Sequence, residues 1–242
     1  MKNGLLQGNP DLSAAKKLAI SLAGWLRLPA GFALACVLSN LPAHASNKPN
    51  ILFFFADDQR ADTIAALGNP VIRTPNLDRL ARSGLAFDRA YMQGGMNAAT
   101  CMPSRAMLLS GKSLFRIDEK LMRDETWPAA FGRAGYRTFI TGKWHNGDES
   151  LTRSFRDGRA IFLGGMGNPM EVPLWRVTEG KLVPEASNSP PRHACERIAD
   201  AAIQFIQSTN EKPFFCYVPF DAPHDPHIVP DGFPVRYKAA AS

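Results

Sequence analysis

Apolar residues recur along this chain in two rhythms. Ile51 to Phe55 is an unbroken apolar run that ends abruptly at Asp57 and Asp58. Such a run predicts a strand buried on both faces of a parallel sheet, because a sheet covered on each side needs no polar alternation. Phe214 to Phe220 has the same character, and Tyr136 to Ile140 and Leu85 to Tyr91 predict two further strands. Between these runs the spacing becomes helical. Thr74 precedes Pro75 and the segment stops at Gly84, which predicts a helix capped by Thr74 with proline in its first turn. Pro103 opens a segment carrying Ala106, Met107, Leu108 and Leu109 up to Gly111, and Thr126 to Arg133 predicts a helix ended near Gly135. Ala194 to Ser208 places Ile198, Ala201, Ala202, Phe205 and Ile206 at helical spacing. Strands alternating with helices predict an α/β fold on a mostly parallel sheet flanked by helices.

Residues 146–191 break that rhythm. Glycine and proline are frequent, and residues 172–177 and 181–183 form two short β-like runs around Glu179 and Gly180. The expectation is an insertion that carries a hairpin over the sheet edge.

The 242 residues are 45% hydrophobic and 21% charged, ordinary globular usage that argues against disorder. Of the net charge of +6, half arises in the first 45 residues, where Lys2, Lys16, Lys17 and Arg27 face only Asp11. Acids and bases are interspersed over the remainder. A nucleic-acid groove would show clustered Lys and Arg among aromatics, so no nucleic-acid partner is expected. Lys16 and Lys17 precede a largely apolar stretch, Leu18 to Leu41, followed by the small residues Ala43 and Ala45 around His44. Residues 1–45 therefore read as a signal peptide, with export to the periplasm or medium. Pro29, Gly31, Ser39, Asn40 and Pro42 interrupt the run, so no stable membrane span is expected. Cleavage would leave Cys101, Cys195 and Cys216. The last two could pair, but spacing does not establish the geometry, and two small buried residues are the preferred reading.

Polar groups fall where strands end. Asp57 and Asp58 follow the first strand, Lys143 and His145 follow the strand through Ile140, and His224 follows the last. Ligands of open α/β sheets gather at that edge. Adjacent carboxylates suit a hard cation, although a solvated turn is the ordinary explanation of an Asp pair. His145, His224 and Lys143 have equally ordinary surface or core roles. Cys101 lies just before Pro103, at the positive end of a predicted helix, with Arg105 four residues on. That arrangement is open to a structural cysteine, to a thiolate nucleophile or to an anion site.

The elements from Lys48-Pro49-Asn50-Ile51 to Asp57-Asp58, then Thr74-Pro75-Asn76-Leu77-Asp78, Cys101-x-Pro103-Ser104-Arg105, Leu109-Ser110-Gly111 and Gly142-Lys143-Trp144-His145 together resemble the sulfatase family. The resemblance covers residues 48–227 and implies an alkaline-phosphatase-like fold. It also implies that Asp57 and Asp58 bind a divalent metal, usually Ca²⁺, with Mg²⁺ as the alternative. Cys101 would be converted by a formylglycine-generating or equivalent maturing enzyme to formylglycine, which acts as both nucleophile and metal ligand. Arg105 would steady that group, Lys143 bind sulfate, His145 contact the formylglycine and His224 stand near the leaving group. The implied substrate is a sulfate ester of an alcohol, sugar or aryl group. Relatives with the same motif cleave phosphonates or phosphodiesters, and an inactive remnant is the third reading. The family's second metal pair and second lysine find no match before Ser242, so residues 46–242 are expected to be an incomplete catalytic domain with weak or no activity alone.

Overall fold

The computed structural model describes residues 48–96, 100–186, 190–208 and 211–230, so the expected signal peptide lies outside the described residues. Four strands run parallel: β1 (Ile51–Phe55), β2 (Arg137–Lys143), β3 (Asp157–Phe162) and β6 (Phe214–Pro219). β4 (Trp175–Thr178) and β5 (Lys181–Pro184) continue the sheet antiparallel, giving the order β1-β6-β2-β3-β4-β5. The expected mostly parallel α/β sheet is present.

β6 carries the central core. Phe215 and Tyr217 point to one face and Cys216 and Val218 to the other, all four fully buried. On the first face they meet Ala106 and Leu109 of α2 (Cys101–Ser110), Trp127 and Phe131 of α3 (Trp127–Arg133), and Leu151 of α4 (Asp148–Ser154). On the second face Phe139 and Val218 pack under Ile198, Ala202 and Phe205 of α5 (Ala194–Gln207). Phe139 and Phe205 stack with centroids 4.3 Å apart. Truncating such a buried ring typically costs about 3–5 kcal/mol. The result is a helix–sheet–helix sandwich with its strand ends free for chemistry.

Several expectations need correction. β1 is not buried on both faces: it is the edge strand, and Leu52 and Phe54 are exposed, the latter by 54%. No described element covers its outer face, so its apolar run alternates in burial like a half-covered strand. Residues 85–91 form no strand, and Leu85, Phe87 and Tyr91 are exposed. β propensity without a neighbouring ladder does not suffice. Residues 146–191 are not simply an insertion over the edge. They contain α4 and β3, and the β4–β5 hairpin extends the sheet itself. The signal for α4 is local: Asp148 and Glu149 occupy its first turn, where acids favour the helix dipole.

Smaller differences follow from side-chain chemistry. Helix α1 (Pro75–Ser83) starts after Thr74, but the Thr74 hydroxyl donates to Asp78 Oδ1 at 2.8 Å instead of capping the backbone. Helix α2 begins at Cys101 itself, two residues before Pro103, and ends at Gly111 in the left-handed conformation. β2 continues past Ile140 to Lys143 through a register irregularity at Gly142. The thiols of Cys195 and Cys216 are both free, and of the two small buried residues expected only Cys216 is fully buried, Cys195 being partly exposed.

Candidate active site

β1, β6 and β2 are neighbours, so whatever follows each strand shares one edge. Two backbone bonds lock the exits together: Phe220 N–H donates to Phe55 O at 2.8 Å and Asp57 N–H to Ala222 O at 3.2 Å. Lys143 is the last residue of β2, and Trp144 N–H donates to Phe162 O of β3 at 2.8 Å, fixing the next turn. The amino end of α2 closes this edge and presents Cys101 in its first turn with Arg105 one turn later.

Arg105, 1% exposed, is the organising cation. Its Nη1 donates to Lys143 O at 2.7 Å, its Nη2 lies 3.2 Å from Asp57 Oδ2, and its guanidinium sits 5.3 Å from the Phe55 ring centroid. Lys143 is wholly buried and its Nζ donates to the same Asp57 Oδ2. Burial by itself would raise the Asp57 carboxyl, but Arg105, Lys143 and His224 overcome it and hold the group below its usual range. Two buried cations thus face one buried carboxylate, and the surplus positive charge favours an anion at this edge. Both cations engage Oδ2, and neither occupies Oδ1.

Cys101 is buried, and its thiol is pushed up by that burial and by Asp57 and Asp58, against the opposing effect of Lys143. An unassisted thiolate nucleophile is therefore poorly favoured. A carboxylate oxygen of Asp57, Cys101 Sγ and a ring nitrogen of His224 all lie within 4.8 Å of one another. Asp58, in a left-handed conformation with φ 60°, is at the rim, and its Oδ2 is 3.6 Å from His224 Nε2. The other ring nitrogen of His224, Nδ1, lies 2.8 Å from Asp225 O. A carbonyl only accepts, so Nδ1 carries the proton and Nε2 is left to the cluster.

His145 also adopts a left-handed conformation, φ 61°. Burial, followed by Lys143 and Arg105, lowers its pKa to about 4, so its ring is neutral near pH 7. Its Nδ1 is buried without a partner. The sequence-predicted residues Asp57, Cys101, Arg105, Lys143 and His224 thus converge, His145 lies within their electrostatic reach, and Asp58 lies on the outer edge.

Three supporting residues escaped sequence reasoning. Gly165 lies against the His145 ring: a β-carbon there would sit 2.6 Å from Cε1 and nearer still to Nε2. Asn146 Nδ2 donates to Met102 O at 3.2 Å and to Glu119 O, tying the β2 exit to α2. The Tyr217 hydroxyl is fully buried beside Arg105 without a well-aligned hydrogen bond. Only Tyr217 left a trace in the sequence, as one polar tip within an apolar run. His224 further lines a cavity of about 330 Å³ with Pro169, His193, Cys195, Pro223 and Ile228. A larger cavity of about 540 Å³ lies at the opposite strand ends, near Arg137 and Asp157, and contains none of the candidate residues.

Asp57 and Asp58 offer the carboxylate oxygens that a hard divalent cation such as Ca²⁺ or Mg²⁺ selects, although Asp58 stands outside the group formed by Asp57, Cys101 and His224.

The fold that carries this cluster is a known architecture. A protein in the alkaline phosphatase superfamily from Vibrio parahaemolyticus superposes with a TM-score of 0.52 at 22% identity, over 80% of this chain and 45% of that one, and shares the fold. The sulfatase family model matches residues 49–241. The chain belongs to the sulfatase family. It is 30% identical to an N-acetylglucosamine-6-O-sulfatase of Bacteroides thetaiotaomicron over 91% of this chain and 36% of that protein. It is 29% identical to an arylsulfatase of Klebsiella aerogenes over 81% of this chain and 48% of that protein. A solved structure of a protein in complex with its substrate D-glucosamine-2-N,6-O-disulfate superposes with a TM-score of 0.60 at 28% identity, over 74% of this chain and 35% of that one. The chain spans between about a third and a half of the length of these relatives. Among the described residues no helix is long and apolar enough to cross a membrane.

Proposed function

We propose that this chain is the amino-terminal portion of an exported sulfuric ester hydrolase. Its nucleophile is a formylglycine made from Cys101 by a maturing enzyme, and residues 1–45 are its signal peptide. The observation that carries the reading is the convergence of Asp57, Cys101, Arg105, Lys143 and His224 at one sheet edge, with surplus buried positive charge. A sulfate ester is anionic and repels a nucleophile, so its hydrolysis needs cations placed where negative charge collects.

The Cys101 sulfur marks where the formylglycine oxygens would stand, beside Asp57. Once formed, that group would supply the nucleophile toward sulfur and, from the same carbon, the means of releasing sulfate afterwards. Asp57 and Asp58 would hold Ca²⁺ or Mg²⁺, which would supply further positive charge to the site. Every other part belongs to the chain. Lys143 and Arg105, both buried and tied to each other through the Lys143 carbonyl, hold the sulfate oxygens in a fixed positive field. His145, neutral near pH 7, is able to accept a proton there without first losing one. His224, its Nδ1–H fixed on Asp225 O, presents Nε2 to hold and deliver the proton that the departing alcohol requires.

The test is sulfate release from an aryl sulfate and from glucosamine-6-sulfate, the latter suggested by the names of the relatives. The chain is produced alongside a maturing enzyme, supplied with the carboxy-terminal half of a sulfatase catalytic domain and assayed with added calcium, next to Cys101→Ala and next to phosphate mono- and diesters. Release that depends on Cys101 and prefers sulfate supports the assignment. Release independent of Cys101, or a preference for phosphodiesters, overturns it.

A further inference from the structure

We propose that the unmodified chain, with Cys101 still a thiol, is a binding site for a thiophilic divalent cation of the Zn²⁺ class. The donors are Cys101 Sγ, an Asp57 carboxylate oxygen and His224 Nε2. Sulfur, imidazole nitrogen and carboxylate oxygen are the donors that zinc selects, with bonds of roughly 2.0–2.3 Å. Tetrahedral bonds of that length separate donors by roughly 3.3–3.6 Å. Cys101 Sγ, a carboxylate oxygen of Asp57 and a ring nitrogen of His224 already lie within 4.8 Å of one another, so side-chain rotations of about an ångström bring the three donors into range.

Two further observations point to a ligand. Arg105 and Lys143 both bind Asp57 Oδ2, which leaves Oδ1 as the donor. The Asp225 carbonyl fixes the proton of His224 on Nδ1, which leaves the Nε2 lone pair toward the cluster, as ligating histidines require. A polar entry exists, since the His224 side chain is 17% exposed and Asp58 beside it is 56% exposed. A water completes a fourth position. Binding exchanges the thiol proton for the metal: Zn²⁺ and Cys–SH give Zn–S–Cys and a proton released to solvent. Converting Cys101 to formylglycine removes the sulfur, so the same place then favours a hard, oxygen-seeking ion. The precursor and mature chains accordingly differ in which metals they hold. Zinc binding by the unmodified chain rests only on residues present in it, whereas the contrast with the mature chain rests on the formylglycine reading.

The experiment uses the full chain made without a maturing enzyme, reduced and freed of metal with a chelator. Co²⁺ is titrated in as an absorbing probe and then displaced by Zn²⁺. The expected result is a thiolate-to-cobalt charge-transfer band that saturates at one equivalent and vanishes with zinc. Cys101→Ser abolishes the band, whereas Cys195→Ser and Cys216→Ser leave it intact. His224→Gln weakens zinc binding by more than the roughly 10–100-fold that losing an outer-shell partner costs. On the unmutated chain, zinc protects Cys101 from alkylation, read by the mass of its peptide. This arm stands even where a variant fails to fold. A band that survives Cys101→Ser, an affinity unchanged by His224→Gln, or unprotected Cys101 at saturating zinc overturns the proposal. None of these outcomes bears on sulfate release by the modified chain.

Discussion

Replacing Gly142 with alanine should break the sheet at the point where the site is hung. Gly142 has φ +123°, and a β-carbon built there would lie 2.8 Å from the carbonyl carbon of Pro219 and closer still to its oxygen. Carbon contacts are comfortable at roughly 3.5–4.0 Å, so β2 would have to part from β6 by about an ångström. The backbone conformation costs an alanine about 1–3 kcal/mol, and forcing extra volume into a filled space about 1–3 kcal/mol more. The sum, roughly 2–6 kcal/mol, is a large share of the 5–15 kcal/mol typical of a native domain. Separation would also displace Lys143, the next residue, from Asp57 and Arg105. Urea unfolding followed by circular dichroism measures the loss. Gly132→Ala is the control: it lies in α3, its β-carbon would meet only Thr138 Cγ2 at 3.8 Å, and the change should stabilise by about 0.4–1 kcal/mol. If Gly142→Ala unfolds within about 0.5 kcal/mol of the parent chain, the close approach described here is wrong.

Gly165→Ala should cost about 1–3 kcal/mol through its clash with the His145 ring, and a double-mutant cycle should show that cost disappearing in a His145→Ala background. An undiminished cost in the double variant would show that His145 is not what the methyl meets. His145 is held neutral, with its pKa near 4 against an ordinary 6.5. The unfolded chain therefore binds more protons between those values, and up to roughly 3 kcal/mol of stability should be lost as pH falls from about 6.5 to 4. His145→Asn, which tolerates the left-handed backbone, should flatten that part of the stability profile, and superimposable profiles would remove His145 as the cause. Asp57→Asn leaves Arg105 and Lys143 buried without their counter-charge and should cost about 3–5 kcal/mol, whereas Asp58→Asn at the exposed rim should cost under about 1 kcal/mol. Chemical denaturation compares the two, and equal losses would contradict the central place given to Asp57.

The parts of this molecule legible in its sequence are those where one physical demand dominates. β6 announced itself because burial on both faces leaves a run without polar alternation, and α5 because its apolar residues keep helical spacing. β1 misled by the same rule: its composition matches a central strand, yet it occupies an edge with Leu52 and Phe54 uncovered. Leu85 to Tyr91 misled because strand propensity is a statement about neighbours that the local sequence does not contain. Residue types at strand ends only suggested the candidate site, since each had an ordinary surface or core explanation, and it was the resemblance of the motifs to the sulfatase family that assigned it. The supports of the site were not legible. Nothing around Gly165 or Asn146 indicates that one leaves room for the His145 ring and that the other ties two loops. Such roles depend on contacts between segments distant in the chain.

Formylglycine at position 101 is decided by the mass of the peptide ending at Arg105, taken from chain exported beside a formylglycine-generating enzyme. An aldehyde should stand in place of the Cys101 thiol, reactive toward a carbonyl-trapping hydrazine and absent from Cys101→Ala. A thiol at position 101 in every such preparation would contradict it.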